Sequence, residues 1–83
     1  MTEASDLEDM IQILNTCIEI HTKEEEYFRR SARLTSRPVV KMMLTEIAGE
    51  LAQYRENLEG RKQKLLIALS EMQAGKGSLS RAQ

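Results

Sequence analysis

His21, the chain's one histidine, precedes Glu24 by three residues and Glu25 by four. On a helix, side chains at those spacings stand one turn apart on a shared surface. Imidazole nitrogen and carboxylate oxygen are ligands for iron, manganese or zinc, so His21, Glu24 and Glu25 make a candidate metal-binding group. Glu50, with Glu46 one turn before it, lies on or beside the apolar face of the following segment and is a fourth candidate ligand if the two segments converge. The same residues support a second reading without a metal. Glu24, Glu25 and Glu26 form a solvated acidic turn, His21 is a boundary residue hydrogen-bonded to a carboxylate across the interface, and the polar contacts fix register. A carboxylate buried without a partner is costly, so each must be paired, bind a cation or reach water.

No other residues assemble a reactive set. Cys17 sits one turn before His21 and reads as a small apolar residue of the helix face, with a redox or metal role as the sharper alternative. There is no nucleophile, base and orienting acid in arguable proximity, which speaks against hydrolytic or transferase activity. Metal-assisted redox chemistry is the remaining enzymatic alternative. Gly75-Lys76-Gly77-Ser78 lacks the spacing and the preceding strand of a phosphate-binding loop.

These residues are carried by helices. Ser5 and Glu8 have capping-box spacing, which predicts a first helix over about 6–34. Leu7, Ile11, Leu14, Ile18, His21, Glu25, Phe28 and Ala32 recur at alternating intervals of four and three, marking one face over about seven turns. Pro38 disfavours helical geometry at Arg37 and suits the first turn of a new helix, with Ser36 as its cap. The second helix is predicted over about 37–73, with Val40, Met43, Leu44, Ile47, Leu51, Tyr54, Leu58, Leu65, Leu69 and Met72 on one face. Gly60 marks a kink or a close contact within it. Gly75 to Ser78 is expected to end it, leaving 75–83 as a flexible tail and 1–74 as the hairpin.

The expected class is therefore all-α, a long antiparallel helical hairpin of about 40–55 Å. At 83 residues, one hairpin cannot cover its own apolar faces, whereas two copies can, as a four-helix bundle. A homodimer or higher homo-oligomer is the expected state. The net charge of −1 supplies no global field for nucleic acid or anionic membrane, so neither is an expected partner. No basic-then-apolar leader and no apolar run of about 18 residues is present, so neither a signal peptide nor a membrane span is expected. The single cysteine suits a reducing, cytoplasmic setting. Arg29, Arg30, Arg33, Arg37 and Lys41 gather at the turn, complementing the negative end of the first helix or offering a surface to an anionic partner.

Three segments carry a family likeness: Tyr27-Phe28-Arg29-Arg30-Ser31-Ala32, then Thr35-Ser36-Arg37-Pro38-Val39-Val40-Lys41, then Leu44-Thr45-Glu46-Ile47-Ala48-Gly49-Glu50. In this order and spacing the chain resembles the hairpins of the ferritin-like superfamily, above all its rubrerythrin branch, over roughly residues 14–60. The resemblance implies a ferritin-like four-helix bundle. Family members carry two hairpins per chain, so a single hairpin implies pairing of two copies. The resemblance places His21 where helix one supplies a ligand. It also puts Leu51 and Tyr54 where helix two supplies a glutamate and a histidine, with Glu50 one residue off. Leucine cannot bind a metal, so a usual di-iron site, ferroxidase activity and peroxide reduction are not inherited.

Two functions from different classes follow. One is a non-catalytic homo-oligomeric interaction or assembly module. The other is a metal-binding bundle for iron handling or redox protection, with His21, Glu24, Glu25 and Glu50 as ligands. A third, a helical adaptor or chaperone, would have its apolar face completed by another protein.

Overall fold

In the computed structural model, which describes residues 3–82 and side chains as far as 75, two helices form an antiparallel hairpin. Helix α1 runs Glu3–Leu34 and α2 runs Pro38–Ala82. Three residues join them. Thr35 N–H donates to Ser31 O at 3.1 Å, closing the last turn of α1, and Thr35 Oγ1 accepts from Arg37 N–H at 3.3 Å. Arg37 O then accepts from Lys41 N–H at 2.9 Å, which makes Arg37 the cap residue of α2 in place of the expected Ser36. Pro38 takes the first helical position, where its missing N–H costs nothing.

The helices depart from expectation at their outer ends. Because α1 is already helical at Glu3, Ser5 lies inside its first turn and does not cap it. Helix α2 passes through the Gly75–Ser78 stretch to Ala82, since no glycine among the described residues takes the positive φ that closes a helix. Gln83 lies outside the described residues. The hairpin consequently measures 69 × 18 × 12 Å, longer than the sequence suggests. Gly60 is helical as expected, but a Cβ there would meet nothing within 4 Å, so it marks no close contact.

One seam holds the hairpin together. On α1 all eight residues of the expected face, Leu7 to Ala32, are buried or half-buried. On α2 the seam is Leu44, Ala48, Leu51, Arg55, Leu58, Lys62, Leu65, Leu69 and Met72, again alternating four and three. This mean period of 3.5 is that of a left-handed coiled coil, with leucine at every seventh residue from 44 to 65. The seam thus runs to one side of the expected stripe. Val40, Met43, Ile47 and Tyr54 are exposed, because the leucine repeat brings Ala48 and Arg55 inward instead. Ala32 and Ala48, at 5% and 0% exposure, are small residues among the contacts nearest the turn.

The core is thin: the buried apolar residues are Ile11, Leu14, Ala32 and Ala48. The radius of gyration is 19.3 Å, against about 12 Å for a compact domain of this length. Among the described residues, no helix is long and apolar enough to cross a membrane.

Candidate functional site

The polar interruption of the α1 seam divides into two unlike halves. On one side, His21 Nδ1–H donates to Glu24 Oε1 at 2.8 Å, a pair made by the i, i+3 spacing itself. The carboxylate is an acceptor only, which sets the proton on Nδ1 and leaves Nε2 outside this bond. The His21 ring meets the Tyr54 ring edge-on, with centroids 5.0 Å apart and planes at 79°. His21, Ile47, Glu50, Leu51 and Tyr54 line an open groove of about 310 Å³. Thr22 takes no part, since its hydroxyl donates to Ile18 O at 2.8 Å.

Glu25 belongs to the other half. Its Oε2 accepts from Arg29 Nε at 2.7 Å, while its Oε1 lies 3.3 Å from Arg55 Nη2 on α2. Both oxygens are occupied by guanidinium groups, and Glu25 is the least exposed member at 14%. Arg55 also has a buried Nε without a hydrogen-bond partner. Of the four candidate ligands, then, the fold gathers His21, Glu24 and Glu50 around or beside one groove and engages Glu25 in a cross-helix ion pair. Within one chain, no group of three or more His, Cys, Asp or Glu residues converges closely enough to hold a metal among the described residues.

Arg55 is the residue the sequence reading passes over. The signal for it is the leucine repeat: counting four on from Leu51, or three back from Leu58, places position 55 on the seam, where a cation calls for an acidic partner on α1. Glu25 is that partner.

The same side of the hairpin carries a second feature. Met10, Ile13, Cys17, Ile20, Glu24, Tyr27, Ser31 and Leu34 form another three-and-four stripe on α1, about a third of a turn from the seam. Its apolar members are largely exposed, from 46% at Met10 to 80% at Leu34. Val40, Met43, Ile47, Glu50 and Tyr54 continue the pattern on α2. Both stripes border one side. His21 shares its groove with Ile47 and Tyr54, and Met10 shares an adjoining groove of about 510 Å³ with Tyr54 and Arg61. Cys17 is a half-buried free thiol within the stripe.

No protein-family model, curated protein or solved structure matches the chain.

Proposed function

We propose that the chain is a non-catalytic, homo-oligomeric helical module in which two hairpins pair through this second stripe into a ferritin-like four-helix bundle. The exposed three-and-four stripe on both helices carries the reading. A helix that buries one seam needs no second apolar stripe in water, whereas a helix in a bundle contacts two neighbours and does. The area agrees. The chain exposes 6524 Å², against about 5,000 Å² expected for a compact monomer of 9.5 kDa. The excess exceeds the roughly 800 Å² that each partner gives up in a standard interface.

Sedimentation at micromolar concentration tests it. The expected mass is twice the 9.5 kDa of the chain, with Ile20→Glu shifting the protein toward monomer. A helical, cooperatively unfolding monomer at 100 µM, a concentration of order 10⁻⁴ M that exceeds the dissociation constants of stable dimers, would overturn it.

A second reading is favoured by the groove that joins His21 and Glu50, with Glu24 on the imidazole. The donors suit iron, manganese or zinc in kind, and a second copy would double one imidazole and two carboxylates. Iron handling or redox protection would be the setting. Metal analysis of untagged protein after reconstitution is the check: stoichiometric metal that is lost in His21→Ala supports this reading, and metal-free protein removes it.

A further inference from the structure

We infer that the second copy docks antiparallel, so that the turn of each hairpin lies beside the open end of the other. The inference rests on the pairing proposed above and adds its orientation.

The ends of the hairpin decide the orientation, because charge is segregated along it. Residues 27–45 contain Arg29, Arg30, Arg33, Arg37 and Lys41 and no acid, while residues 1–22 contain Glu3, Asp6, Glu8, Asp9 and Glu19 and no Lys or Arg. At the turn, Arg29 is held by Glu25, but Arg30, Arg33, Arg37 and Lys41 make no ion pair among the described residues. Chain reversal sets Arg61, Lys62 and Lys64 of α2 near the acidic start of α1, as the groove shared by Met10, Arg61 and Lys64 attests. The open end is therefore of mixed charge and the turn end purely basic.

Docking turn beside turn would place Arg30, Arg33, Arg37 and Lys41 of both copies, all without an intrachain ion pair among the described residues, at one end of a bundle a few helix diameters wide, within reach of one another at a screening length of about 8–10 Å. Docking turn beside open end puts each basic turn next to the partner's Glu3, Asp6, Glu8 and Asp9. On α1 the midpoint of the stripe between Met10 and Leu34 is residue 22, so a two-fold axis there sets Met10 of one copy against Leu34 of the other and Cys17 against Tyr27. Opposite-charge steering is what discriminates. The interface is isologous, and the axis passes close to His21, Glu24, Glu50 and Tyr54, which each copy supplies to one shared polar layer.

Pulsed electron-electron resonance on nitroxide-labelled protein reads the orientation. In a Cys17→Ala background, Ser36→Cys places the label at the turn and Glu8→Cys places it near the open end. Antiparallel docking predicts a separation of about 40–50 Å between two Ser36 labels, from the rise of about 1.5 Å per residue. It also predicts about 15–25 Å between labels when Ser36-labelled and Glu8-labelled copies are mixed, the range set by neighbouring helix axes about 8–10 Å apart plus the label arms. Short Ser36–Ser36 distances with a long mixed distance would overturn the orientation and leave the pairing intact. Absence of dipolar modulation in every sample, with monomeric sedimentation of unlabelled wild type, would overturn both. If the Cys17→Ala background alone failed to pair, Cys17→Ser and Cys17→Val backgrounds would carry the same two labels.

Discussion

Leu14→Ala is expected to destabilise the hairpin by about 2–4 kcal/mol, the range for truncating a well-buried leucine. Leu14 retains 5% exposure and is one of the four buried apolar residues among those described, so its truncation removes a large share of the packed seam. The loss is large on the scale of this chain. At about 0.05–0.15 kcal/mol per residue, 83 residues carry roughly 4–12 kcal/mol in total. Urea unfolding followed by helical circular dichroism would show the midpoint fall at fixed protein concentration, with Leu14→Met costing less than about 1.5 kcal/mol. Ile13→Ala is the contrast. Ile13 is 57% exposed on the outer stripe, so under the pairing proposed above its loss should weaken association more than it weakens the hairpin. A cost below about 0.5 kcal/mol for Leu14→Ala, the level of an ordinary surface change, would mean that the seam is not the core.

The contrast between Leu14 and Ile13 also separates what a periodicity can tell from what it cannot. On α1, eight positions from Leu7 to Ala32 were legible because the polar members, His21 and Glu25, fall in step with the apolar ones. On α2, as on α1, the apolar residues occupy two stripes at once. Val40, Met43 and Ile47 are apolar like Leu44 and Leu51, so hydrophobicity alone does not say which stripe faces α1. Only the seven-residue repeat of Leu44, Leu51, Leu58 and Leu65 does. Its intervening positions are the small Ala48 and the charged Arg55 and Lys62, which an apolar count overlooks.

The candidate site was legible to the same degree. His21 bonds Glu24 within a single turn, whereas its carboxylate partner was expected across an interface; the i, i+3 spacing alone holds the nearer acceptor. The partner of Glu25 is set by the register of one helix against the other, a long-range quantity that no local pattern encodes. The boundaries behave likewise. Pro38 fixed the start of α2 through its own ring, whereas Gly75 only permits a stop, and the backbone there kept its helical bonds.

That register gives the second large effect. Glu25→Ala is expected to cost about 1–3 kcal/mol, because it strips Arg55 of its carboxylate at a seam position where the buried Nε already lacks a partner. The figure lies below the 3–5 kcal/mol of a fully buried pair, since Arg55 and Arg29 keep 26% and 43% exposure and water screens them in part. Arg29→Ala should cost under about 1 kcal/mol, as an i, i+4 surface pair does. The double variant Glu25→Leu with Arg55→Leu removes both charges and fills the seam with apolar volume. It is expected to be at least as stable as wild type, since a desolvated ion pair seldom outperforms packed hydrocarbon. A double-mutant cycle on urea unfolding measures the coupling, which should fall between about 0.5 and 3 kcal/mol for groups in contact. Additive single effects, with no recovery in the double variant, would show that Glu25 and Arg55 do not act together. Recovery of stability with altered dimer mass or label distances would instead assign the pair to register: charge at this layer would then be retained for specifying which residues of α1 and α2 meet, and through them where the outer stripe presents its apolar side chains.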